Sequence, residues 1–139
     1  MRKFLFLSVA VLLIAIDATA QRVEVFRNAS GIAFDTVSNT GSKALATRKV
    51  DLFYDLVAIQ VDIEKVSGTV AGTALIQGSL DNSNWVNIDT LSPSNVDSQA
   101  FIKVIDQYPY SYLRVSYTGA GTMAAIVRAR ALYKRRDLK

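Results

Sequence analysis

From Gln21 onward the chain is organised by a period of two. In residues 50–66, Val57, Ile59, Val61 and Ile63 fall on one side of an extended chain, and Ala58, Gln60, Asp62 and Glu64 on the other. That alternation predicts a strand with one buried and one wet face. The same period runs through residues 122–133, where Met123, Ala125, Val127, Ala129 and Ala131 share a face and Ile126, Arg128, Arg130 and Leu132 share the opposite one. Shorter runs at 22–26, 74–78, 85–88, 100–105 and 112–117 also read as strands, with Trp85 expected in the core. Between them lie turn clusters: Ser67-Gly68-Thr69, Ala71-Gly72-Thr73, Asp81-Asn82-Ser83-Asn84 and Thr118-Gly119-Ala120-Gly121. The stretch 28–48, rich in Ser, Thr, Asn and Gly, reads as a polar arm or loop with a short strand near 32–34. About seven strands at this spacing, with no helical period after residue 20, predict an all-β fold: a single antiparallel β-sandwich of Ig-like or jelly-roll type.

The first twenty residues follow a different rule. Arg2 and Lys3 precede an apolar run from Phe4 to Ile16, and Ala18 and Ala20 then offer the small-x-small pattern that a signal peptidase reads. The run is shorter than the ~20 residues of a spanning helix, so residues 1–20 are expected to form an apolar signal-peptide helix that is removed on export. The predicted organisation is a signal peptide (1–20), an N-terminal strand and polar arm (21–49), a sandwich core (50–133) and a basic tail (134–139). The expected location is the periplasm, the cell surface or the extracellular space, with a virion as the alternative.

Composition narrows the chemistry. The 139 residues contain no cysteine and no histidine. Disulfides, thiolate metal sites and thiol catalysis are therefore excluded, as are imidazole bases and His ligands for zinc. No phosphate-binding glycine loop occurs, and no cofactor or metal is expected. The formal net charge of +4 is concentrated at the ends, in Arg2, Lys3, Lys134, Arg135 and Arg136. Without a basic stripe interleaved with aromatic platforms in the body, nucleic acid is not an expected partner.

The remaining candidates are few. Tyr108, Tyr110 and Tyr112, near Pro109, are candidate glycan-stacking residues, because a ring face covers the apolar side of a pyranose while the hydroxyl stays wet. Trp85 and Tyr117 are further aromatic candidates for such a platform. The oxygens of Asp81, Asn82, Ser83 and Asn84 suit a turn better than calcium, which needs six or more ligands and several carboxylates. Asp51, Asp55, Asp62 and Glu64 are the clustered acids, and a solvated strand face accounts for Asp62 and Glu64 without a catalytic pair. Ile126, Arg128, Arg130 and Leu132 mix apolar and cationic groups on one face and are the candidate partner-binding residues, for self-association or for a neighbouring structural protein.

Two stretches, Gly68-Thr69-Val70-Ala71-Gly72-Thr73-Ala74-Leu75-Ile76-Gln77-Gly78-Ser79-Leu80-Asp81-Asn82-Ser83-Asn84-Trp85 and Tyr110-Ser111-Tyr112-Leu113-Arg114-Val115-Ser116-Tyr117, carry a family resemblance. They resemble small β-sandwich structural proteins of bacteriophage virions, of head-decoration or tail type, over residues 57–133. The Gly-Ser-x-Asp…Trp hairpin is also similar to that of discoidin-like carbohydrate-binding sandwiches, a weaker match. The first resemblance implies a non-enzymatic structural or assembly subunit of a virion or surface appendage, acting through protein–protein packing. The second implies an exported carbohydrate-binding module.

Overall fold

The computed structural model describes residues 21–50 and 54–135. The expected signal peptide, Asp51 and the last residues of the basic tail lie outside them. Nine strands follow in chain order: β1 (Gln21–Val25), β2 (Asp35–Ser38), β3 (Ser42–Ala46), β4 (Leu56–Gly68), β5 (Gly72–Ser79), β6 (Val86–Leu91), β7 (Ser98–Asp106), β8 (Tyr112–Gly119) and β9 (Met123–Lys134). They form two antiparallel sheets. The first runs β1-β9-β4-β7, with β2 pairing the other half of the β9 edge that β1 occupies; the second runs β3-β8-β5-β6. Among the described residues β5 and β6 are the one pair of chain neighbours joined as a hairpin. From β2 to β5 and again from β6 to β9, each connection changes sheets.

The core follows from the alternation. Val57, Ile59, Val61 and Ile63 of β4 and Met123, Ala125, Val127, Ala129, Ala131 and Tyr133 of β9 are buried on the inner side of the first sheet. Ala74 and Ile76 of β5 and Leu113, Val115 and Tyr117 of β8 are buried on the inner side of the second. Two antiparallel sheets each with one apolar face bury those faces against each other, which is the sandwich the sequence predicts. At the open edge Lys103 of β7 meets Asp89 of β6 at 3.0 Å, an ion pair linking the two sheets where neither strand has a further neighbour.

Nine strands stand where about seven were expected. The difference lies in residues 28–48, which are not an extended arm. β2 and β3 lie within that stretch and belong to opposite sheets, joined through Asn39 at φ 53°. Each contributes a fully buried residue, Val37 and Leu45, and Phe26 before them is also fully buried. The sandwich therefore begins at Gln21 rather than at residue 50.

Candidate functional site

Residues directly opposite one another in a sheet project from the same side. Leu45 points inward, so its neighbours Ala44 and Ala46 point out from the second sheet. Ala46 pairs with Arg27 on one side and with Arg114 of β8 on the other, and the row continues through Gln77 of β5 to Asn87 of β6. With strands about 4.8 Å apart, the two arginines leave the backbone about 10 Å from each other across a single methyl group. A groove of about 510 Å³ opens there.

Its boundaries are built from short-range chemistry. Trp85, just before β6, lines one side, and the Arg114 guanidinium lies over its ring at 4.3 Å from the centroid. Arg114 Nε donates to Gln77 Oε1 at 2.7 Å, so the cation is held over the indole from a second side. Burial lowers the Arg114 pKa. The opposite side is the loop 27–31, tied by Asn28 Oδ1, which accepts from the backbone N–H of Ser30 (3.0 Å) and Ile32 (2.9 Å), and by Arg27 Nη1, which donates to the Gly31 carbonyl at 2.7 Å. Ala44, Ala46 and Thr47 lie between these sides, and Arg48 and Asn82 also line the groove. Thr47 Oγ1 is spent inside the fold, accepting from Leu113 N at 3.0 Å.

The groove is cationic. Arg27, Arg48 and Arg114 line it against one carboxylate, Glu24, which already holds Arg22 at 2.9 Å. That hydrogen bond raises the Arg22 pKa. A partly exposed indole, planar hydrogen-bonding side chains and a concave surface of this size are what a small polar ligand with an apolar face requires.

Trp85 is the clearest departure from the sequence reading. It lies outside the core, half-exposed beneath Arg114. Tyr108 and Tyr110 come together but not as a flat platform: their rings meet at 68° and 5.9 Å, and Tyr108 meets Tyr133 at 73° and 5.6 Å. The Tyr108 and Tyr133 hydroxyls are buried, and burial pushes both upward, Tyr133 to about 12. Tyr110 is packed against Gly78, where an added Cβ would come within 2.5 Å of its ring, and it lines a separate concavity of about 290 Å³ with Leu80, Asp81 and Val86. Tyr112 stands two residues before Arg114 in β8, on the outward row that carries Arg114. The Asp81 carboxylate closes its own turn, accepting from the N–H groups of Ser83 (2.9 Å) and Asn84 (2.8 Å), bonds that hold it well below the usual carboxylate range.

Ile126, Arg128, Arg130 and Leu132 lie together on the outer face of the first sheet, away from the groove. Arg130 pairs with Asp62 at 2.8 Å and Arg128 with Glu64 at 2.7 Å. Beside these ion pairs an apolar row crosses four strands, Val23, Leu132, Ala58 and Val104. Ile102 follows on β7 at 70% exposure, and Val23 in the row itself is 63% exposed.

No family model and no curated protein matches the chain in sequence. Solved structures do match in fold. A lysine-to-alanine variant of a family 29 carbohydrate-binding module, complexed with cellulohexaose, aligns with a TM-score of 0.51 at 13% identity, over 84% of this chain and 94% of that one. An arginine-to-alanine variant of the same module gives 0.50 at 15% identity, over 82% and 91%. The Yersinia pseudotuberculosis-derived mitogen gives 0.49 at 8% identity, over 86% and 88%. At such identities the likeness is one of fold. This chain is thus a β-sandwich similar in fold to those carbohydrate-binding modules.

Proposed function

We propose that the protein is an exported, non-catalytic carbohydrate-binding module that takes a short stretch of saccharide in the groove between Arg27 and Arg114. The observation that carries this reading is the pairing of Trp85 with Arg114 and Gln77 across a floor of alanine. An indole edge or face covers the C–H side of a pyranose, and the guanidinium and asparagine groups beside it meet hydroxyls. A family 29 carbohydrate-binding module of this fold is complexed with cellulohexaose, which supports saccharide over other polar ligands. The tyrosine corner is a less suitable platform, since Tyr108 is turned edge-on and Tyr110 is committed to Gly78. A glycan array probed with the protein and with Trp85→Ala tests the proposal. Saccharide binding that the substitution reduces by tenfold or more supports it, and an array without any bound glycan overturns it.

The outer face of the first sheet favours a second, separate role, assembly with another copy of the chain. Its ion pairs are balanced, two arginines against Asp62 and Glu64, so two such faces approach without net repulsion while the apolar row Val23–Leu132–Ala58–Val104 is removed from water. Light scattering across a concentration series checks this: a dimer that Leu132→Lys dissociates is expected, and a strict monomer at all concentrations contradicts it.

A further inference from the structure

Resting on the carbohydrate-binding reading, we infer that the groove selects an acidic saccharide, a chain whose residues carry carboxylates, over a neutral one. A site for a neutral sugar needs donors and acceptors in balance, because each hydroxyl offers both. This groove has neutral carboxamides in Asn28 and Asn82, but its charged groups are one-sided. Arg27, Arg48 and Arg114 supply only donors and three positive charges, and the single carboxylate, Glu24, is neutralised by Arg22 at 2.9 Å.

The three arginines are also differently committed. Arg114 spends its Nε on Gln77 at 2.7 Å, and Arg27 spends Nη1 on the Gly31 carbonyl at 2.7 Å, which fixes both guanidinium groups while leaving further N–H donors on each. Arg48 is exposed on the groove. A planar fork held in place from behind is the geometry that meets a carboxylate with two parallel hydrogen bonds, and an immobilised guanidinium loses little entropy on doing so. Arg27 and Arg114 leave the backbone about 10 Å apart across Ala46, at two strand spacings, so two cations line one groove, which suits a polymer with repeated carboxylates better than a single isolated anion.

Single-stranded nucleic acid also carries negative charge along a chain. It is disfavoured here because one aromatic side chain, Trp85, lines the groove where successive bases need successive platforms.

The test is calorimetric titration of the protein with an oligogalacturonate and with cellohexaose, at low and at moderate salt, with a single-stranded oligonucleotide as competitor. The expected result is at least tenfold tighter binding of the oligogalacturonate, with an advantage that shrinks as salt rises. Arg48→Ala is expected to lower oligogalacturonate affinity about tenfold and to flatten the salt dependence, whereas Lys65→Ala on the first sheet leaves both unchanged. Equal or tighter binding of cellohexaose overturns the charge selection and leaves the carbohydrate reading standing. Failure of both saccharides overturns that reading itself, and an oligonucleotide that binds more tightly than either saccharide overturns the saccharide assignment in favour of nucleic acid.

Discussion

The two outer faces of this sandwich are made from the same kind of strand and do opposite things with their arginines. On the first sheet, Arg128 and Arg130 are bound to Glu64 and Asp62 on the neighbouring strand, and beside them lies an apolar concavity of about 220 Å³ lined by Val23, Ala58, Ile102 and Leu132. On the second, Arg27 and Arg114 are braced by neutral oxygens, the Gly31 carbonyl and the Gln77 carboxamide, so their charge is not cancelled. The residue between them is alanine, so the surface dips. A cation paired with a carboxylate is part of a surface; a cation held by a neutral acceptor beside a groove is available to a ligand.

The contrast can be broken most severely by filling the dip. Ala46→Phe is expected to abolish saccharide binding, by about a hundredfold or about 2.7 kcal/mol, while the melting temperature stays close to the parent because residue 46 points away from the core. Titration calorimetry paired with thermal melts separates the two effects. Trp85→Ala is expected to cost about tenfold in affinity, near 1.4 kcal/mol, through lost ring contact and a released Arg114.

Gly78→Ala is a structural counterpart on the second sheet. The new methyl group meets the Tyr110 ring at 2.5 Å and is expected to destabilise the fold by about 1–3 kcal/mol, read by chemical denaturation, with the groove still able to bind. On the first sheet, Arg130→Ala removes an exposed ion pair and is expected to change stability by less than about 1 kcal/mol, without effect on saccharide binding.

The smallest effect is on pH dependence. Asp81 is held low by the N–H groups of Asn84 and Ser83, and Asp89 by the hydrogen bond from Lys103. Both carboxyls titrate lower in the folded than in the unfolded chain. Their stabilisation is therefore complete above the unfolded value of about 4 and is lost as pH falls through the lower folded values. A melting temperature that is flat from neutrality to pH 5 and then declines toward pH 3 is expected, with a shallower decline in Asp81→Asn.

How much of this was legible in the sequence depended on strand length. β4 and β9, with 13 and 12 residues, repeat their alternation often enough to fix both faces, and the Asp81 turn marks the β5–β6 hairpin unaided. β2 and β3, with 4 and 5 residues, carry one buried side chain each, too few to show a period, so the stretch from 28 to 48 reads as a polar arm. Trp85 reads as a core residue for a related reason. Its size argues for burial, but what covers it is Arg114, a partner from β8 that no local pattern in residues 81–88 reveals. The groove inherits both difficulties, because its floor lies in the short β3 and its wall is a cross-strand pair. The one local hint was Lys43-Ala44-Leu45-Ala46-Thr47, where small residues alternate with Leu45 and leave the outer side of a strand bare.

Trp85 is also the single tryptophan of the chain, so its emission reports on the groove directly. Titrating the protein with an oligogalacturonate while following that emission tests the central claim. A saturable shift in emission, with the same midpoint as the calorimetric binding curve, is the result expected if saccharide sits between Arg27 and Arg114. Heat of binding without any change in Trp85 emission would put the saccharide elsewhere on the molecule and contradict the account.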